Sequence, residues 1–323
     1  MKSGLCLLIL LSAAMLFAPR SAAQTDETIF FPSVDSQMIG PLISSATAME
    51  TAWDLVRNPL NDSVSGDPGE AFLVKEGFKI FTQTGKYSAR FSGNDLTCGH
   101  CHLNAGQREK ALPLVGISGV FPEFNKRAER EFSLVDRIVG CFLRSMNASG
   151  APAMLSAHDP DSAAAPIAGS DEVRALVAYI DWLSEEYAPG DSLPWRGLNM
   201  IGEASLLPVG DLDSLRGAQV YSEKCSNCHG ENGEGVAIGD IKAGPLWGPA
   251  SWNDGAGAAR VYTLAGMIRY MMPYIDPGSL TDEEAQQVAF FICTQPRPAY
   301  PFRFSDYRNG KIPADAIYYT RGR

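Results

Sequence analysis

The apolar positions change their period several times along the chain. Leu5 to Ala18 is a nearly unbroken apolar run of 14 residues behind Lys2, shorter than the roughly 20 that a membrane-spanning helix needs. Ser21-Ala22-Ala23 then supplies the small residues of a cleavage site, so residues 1–23 read as an export signal cleaved near Ala23. No later stretch comes closer to spanning a membrane. Ser133 to Arg144 reads as a helix, with Ser133 as N-cap and Asp136 placed as the capping-box acid. Ser170-Asp-Glu leads to Val177-Ala-Tyr179 and Thr281-Asp-Glu to Val288-Ala-Phe290, two capped helices whose aromatics share one register. Gly77-Phe-Lys-Ile-Phe81 and Gly217-Ala-Gln-Val-Tyr221 each set an aromatic four residues after a glycine.

These paired marks form an internal repeat. They predict an all-α chain of two small helical domains, at 71–190 and 211–300, after an N-terminal extension at 24–70. Ser184 to Gly210 is rich in Pro, Gly and acidic residues and contains the linker, 191–210. The tail, 301–323, has little periodicity and receives no role. A further helix is predicted near Ser45 to Arg57.

Charge narrows the partners. The formal net charge of −10 becomes −12 once Lys2 and Arg20 leave with the signal. That disfavours nucleic acid and anionic membranes and suits a basic protein partner.

An exported chain with seven cysteines would ordinarily be read as a disulfide framework. The spacing overrides that reading. Cys98-Gly-His-Cys101-His102 and Cys225-Ser-Asn-Cys228-His229 are both C-x-x-C-H, the signature by which two thiols take up haem vinyl groups and the adjacent His binds iron. Two copies predict two covalently bound haem c groups, so each helical half is expected to be cytochrome c-like; a zinc pair or redox dithiols are the bland alternative.

With Cys6 in the signal, Cys141 and Cys293 remain, and of four histidines only His158 is spare, since His100 sits inside its own attachment loop. The sixth iron ligands must therefore come chiefly from Met or Cys. In the second half Met272, 43 residues after His229, precedes Pro273, which disfavours helix there and turns the side chain inward. Met267 and Met271 share a helix face as core, with Met271 an alternate ligand. In the first half Cys141, 39 residues after His102, occupies the equivalent slot, on one helix stripe with Arg137, Arg144 and Ser145. A Cys141–Cys293 disulfide, with Met146 or Met154 as ligand instead, is the competing reading.

Guanidinium forks beside a sulfur-ligated iron suit a small sulfur-containing oxyanion. The chain resembles the dihaem thiosulfate dehydrogenases through Gly93-Asn94, Cys101-His-Leu-Asn-Ala-Gly106, Phe121-Pro122 with Arg127, and Asp136-Arg-Ile-Val-Gly-Cys-Phe-Leu-Arg-Ser-Met-Asn147. Pro245-Leu-Trp-Gly-Pro249, Ser251-Trp-Asn253, Gly255-Ala-Gly257 and Met272-Pro273 extend the match. Ala148, Trp252 and Met271 depart from the family's usual residues. The resemblance implies that Cys141 and Met272 are axial ligands and that Arg127, Arg137 and Ser145 help to hold substrate. It also implies a periplasmic enzyme that couples two thiosulfates into tetrathionate and passes electrons to a soluble or membrane-attached cytochrome c. An electron-transfer-only dihaem cytochrome is the rival class, and it leaves the Cys141 stripe without a purpose.

Overall fold

Among the described residues seven helices of nine residues or more carry the structure, which is a computed structural model describing residues 38–45, 55–64, 66–150, 159–239 and 241–320. The export signal, most of the helix predicted near Ser45 to Arg57, Met154 and His158 lie outside the described residues. In chain order the helices are α1 Pro68–Thr82, α2 Leu134–Arg144, α3 Pro160–Ala168, α4 Asp171–Trp182, α5 Ser214–Lys224, α6 Val261–Met271 and α7 Asp282–Thr294. Three short antiparallel hairpins are the only strands among the described residues: β1 Met38–Ile39 with β2 Leu42–Ile43, β3 Glu123–Asn125 with β4 Arg130–Phe132, and β5 Ala237–Ile238 with β6 Ile241–Lys242. The all-α expectation holds. No described helix is long and apolar enough to cross a membrane.

The helix starts follow their local chemistry. Ser133 accepts from the Asp136 N–H while Asp136 reaches back to the Ser133 N–H, closing the predicted capping box. Thr281 and Glu284 do the same for α7, and Ser170 caps α4 through the Val173 N–H.

The repeat reflects one packing device used twice. α1 packs chiefly on α4, and α5 on α7, and each crossing needs a glycine. A Cβ on Gly77 would lie 2.0 Å from the Ala175 carbonyl oxygen and 2.7 Å from Tyr179 Cβ; on Gly217 it would lie 2.1 Å from the Gln287 oxygen and 2.7 Å from Phe291 Cβ. The partner of Tyr179 is thus Phe291, not Phe290 as the capping register suggests, because α7 reaches its crossing one residue later.

One apolar cluster runs through both halves, from Phe78 and Tyr179 to Leu264 and Ile292. The tail closes the structure rather than trailing from it. Asp306 pairs with Arg144, Asp315 with Arg260, and the Tyr300 N–H donates to Asp254.

Candidate functional site

In the first half the attachment loop is pinned before any cofactor is considered. The Cys98 N–H donates to Thr84 Oγ1 at 3.1 Å, and that hydroxyl donates to Cys98 Sγ at 3.6 Å. His102 Nδ1 donates to the Leu112 carbonyl at 2.6 Å, which leaves Nε2 with its lone pair bare, as an iron ligand requires. The carbonyl is aimed by strained backbone: Leu112 has φ 52°, in a stretch where Asn104, Ala105 and Lys110 are also left-handed.

His102, Cys98 and Cys101 line a cavity of about 350 Å³, and so do Arg137, Cys141, Ser145 and Met146. Burial pushes the Cys98 and Cys101 thiols up to about 12, so they are neutral and apolar. Burial, with Arg137 nearby, brings His102 down to about 4 despite the Leu112 carbonyl, which keeps the imidazole in its ligating form.

The second half repeats the arrangement. His229 Nδ1 donates to the Gly244 carbonyl at 2.9 Å, and burial lowers its pKa. Burial, with Cys228 adding, pushes Cys225 up to about 12, whereas Cys228 is exposed. Tyr221, Trp247 and Phe291 form an aromatic wall, with ring centroids 4.9 to 5.7 Å apart. α6 stops at Met271, and Met272 is extended at φ −126°, ψ 153°, as the following proline demands. Met271 is buried with Leu103 and Ala111 of the first half, and Met267 and Met272 pack, partly buried, against the same cluster.

The residues in each half fit a covalently attached haem: paired thiols, an imidazole whose Nδ1 is held by a backbone carbonyl, and apolar or aromatic walls. Among the described residues no group of three or more His, Cys, Asp or Glu converges to hold a metal by protein ligands alone.

The sequence-level stripe divides in two. Arg137, Cys141 and Ser145 share the cavity with His102, and no hydrogen bond or ion pair engages the Arg137 guanidinium among the described residues. Arg144 points elsewhere. It donates to both Asp306 oxygens at 2.8 Å and to the Gly255 carbonyl at 3.0 Å, with its guanidinium 4.0 Å from the Tyr300 ring centroid. Burial alone would lower its pKa, but the bonds to Asp306 raise it. Arg127, expected at the substrate, also donates to the Gly255 carbonyl, beside Tyr307, and is not among the residues lining the cavity. Nor does a disulfide join Cys141 to Cys293 among the described residues; the Cys293 thiol donates to the Ala258 carbonyl.

Part of the cavity wall was not foreseen. Trp195, Arg196 and Asn199, within the stretch read as linker, line it, and Arg196 pairs there with Glu123. Trp195 anchors the segment by donating to the Val115 carbonyl at 3.1 Å; a tryptophan in a Pro- and Gly-rich connection was the available signal.

A cytochrome c family model matches residues 214–296. A thiosulfate dehydrogenase of Stutzerimonas stutzeri is 37% identical over 237 residues, covering 72% of this chain and 71% of the relative. The chain belongs to the thiosulfate dehydrogenases. Its relatives of that name in Psychrobacter arcticus and Allochromatium vinosum are each 34% identical, over 79% and 73% of this chain and 72% and 81% of theirs. The solved thiosulfate dehydrogenase TsdBA of Marichromatium purpuratum, in its as-isolated form, superimposes with a TM-score of 0.67 at 32% identity. The match covers 79% of this chain, which spans about half (53%) of that one. This thiosulfate dehydrogenase is therefore a cytochrome carrying covalent haem c.

Proposed function

We propose that both attachment motifs carry a haem, one in each helical domain (71–190 and 211–300), and that the enzyme joins two thiosulfates into tetrathionate at the first. The observation that carries this reading is Arg137, a cation with no hydrogen bond or ion pair among the described residues, lining the same cavity as His102 and Cys141. Cys141 would hold the iron opposite His102 on that side. Its competitor Met146 is only 3% exposed and packs in the main apolar cluster, whereas Cys141 is partly open. Met272 serves the second site.

Arg137 and the Ser145 hydroxyl bind the sulfonate oxygens of thiosulfate and bring its outer sulfur to Cys141. The Cys141 thiolate and that sulfur form an S–S bond with loss of two electrons. A second thiosulfate attacks the outer sulfur, so tetrathionate departs and the thiolate returns. No proton is consumed or released. Haem groups held by Cys98, Cys101 and His102 and by Cys225, Cys228 and His229 would supply the one-electron acceptors and the path out to a cytochrome c. The reverse reduction of tetrathionate uses the same contacts. Arg127 acts at a distance, holding Gly255 against the C-terminal end of α2. Residues 1–23, read as an export signal, support a periplasmic location, where a basic cytochrome suits the acidic surface.

The test is steady-state turnover with tetrathionate measured as product. Arg137→Ala should lower kcat/KM for thiosulfate about tenfold to hundredfold, the worth of one charge-assisted hydrogen bond in a partly desolvated site. Unchanged kinetics in that variant would remove the proposed anion site, and a wild-type protein that never makes tetrathionate would favour the electron-transfer-only reading.

A further inference from the structure

The first attachment loop touches the second half through His100, which the proposed chemistry leaves unused. The Thr97 N–H donates to His100 Nδ1 at 2.9 Å, so the ring proton sits on Nε2. Nε2 then donates to the Lys242 carbonyl at 2.9 Å. Two residues further on, the Gly244 carbonyl accepts from His229 Nδ1, also at 2.9 Å. Gly244 lies tight against the ring: a Cβ there would come within 3.1 Å of His100 Cγ and 2.8 Å of Leu96 Cδ2. The seam continues on either side, with Lys242 paired to Asp95 at 3.4 Å and Asn94 Nδ2 donating to the Ser251 carbonyl at 3.2 Å. Two hydrogen bonds and the backbone from Lys242 to Gly244 therefore join the ring between Cys98 and Cys101 to the proximal His229.

We infer that His100 is a positioning residue for electron passage between the two haem sites. It locks the attachment loop of one onto the backbone segment that holds the proximal histidine of the other. The inference rests on the two-haem reading proposed above. Each passage oxidises the first site by one electron and reduces the second by one. No bond forms or breaks, and no proton has to move, because the donors at His100 Nε2 and His229 Nδ1 keep their hydrogens. A histidine that merely capped its own turn would need only the Thr97 contact. The bond to Lys242 and the bare Gly244 are what a cross-half lock requires.

The experiment is photoreduction of the holoprotein followed by the optical change as the electron redistributes between the sites, with haem content and the midpoint potential of each site measured alongside. His100→Ala should slow redistribution about tenfold to hundredfold, the range for outer-shell partners of metal ligands, with both haems attached. Gly244→Ala, which pushes the seam apart from the other side, should slow it similarly. His100→Gln, whose amide can accept from Thr97 and donate to Lys242, should recover most of the rate. Wild-type rates in both His100→Ala and Gly244→Ala would overturn the inference. If His100→Ala fails to attach haem, Gly244→Ala decides alone, a slowed rate supporting the lock and an unchanged one refuting it. One haem in the wild type would refute the two-haem reading itself.

Discussion

Replacing Arg144 by alanine should destabilise the enzyme without being a lesion of its chemistry. The Arg144 side chain is 17% exposed and its partner Asp306 only 2%, so screening by water is slight. Truncation strands a buried carboxylate whose remaining partner among the described residues is the Tyr319 hydroxyl, leaves the Gly255 carbonyl with Arg127 alone, and frees the face of Tyr300. Breaking one side of a buried, hydrogen-bonded pair costs about 3–5 kcal/mol, a fall of about 5–8 °C in Tm at about 1.6 °C per kcal/mol, from an unfolding entropy of about 2.1 cal/mol/K for each of about 300 residues. Thermal and denaturant unfolding of the holoprotein measure it. Arg144→Ala/Asp306→Ala should recover part of the loss, because the uncompensated charge is gone. A loss below about 1 kcal/mol, the worth of a surface pair, would refute the reasoning, as would a double variant less stable than the single one by the full cost again.

Two further outcomes follow from the packing and the caps. Gly77→Ala and Gly217→Ala each drive a methyl group to within about 2 Å of a helix backbone oxygen, and should cost about 3 kcal/mol or more through overpacking, seen as reduced Tm or loss of folded protein. Asp136 is held down to about 2: burial works against its charge, but Arg130 and Ser133 bonds outweigh it. Because that folded value lies below the unfolded one of about 3.9, the stability advantage of wild type over Asp136→Asn should be complete above pH about 4. It should shrink as the pH falls and vanish near 2; an advantage that instead grows on acidification would contradict the assignment.

Much of this architecture is legible in the sequence because short-range rules decide it. The capping boxes at Ser133 and Thr281 and the halt of α6 before Pro273 depend on neighbours within a few residues. The glycine-to-aromatic spacing likewise reports a helix crossing that leaves no room for a Cβ. The C-x-x-C-H motifs are legible for the same reason, since attachment chemistry fixes their spacing. Contacts set by distant chain are not legible. Helical periodicity places the Cβ atoms of Arg137, Cys141, Arg144 and Ser145 along one stripe, but it does not say where a long guanidinium reaches. Arg144 turns to Asp306 because the tail folds back to deliver that carboxylate. Asn253 is equally remote: fully buried, it donates to the Leu143 carbonyl at 2.9 Å and to Asn147 Oδ1 at 3.1 Å, so a loop of the second half caps the helix that carries Cys141. The cavity wall from Trp195 to Asn199 belongs to the same class, being a connection by composition and a wall through one tryptophan.

The central claim is that sulfur chemistry occurs at Cys141 beside the first haem, and thiosulfate turnover by purified Cys141→Ala tests it most directly. The variant should retain both haems by thioether analysis, show an altered spectrum at the first site only, and form no tetrathionate. Wild-type tetrathionate formation in that protein would contradict the account.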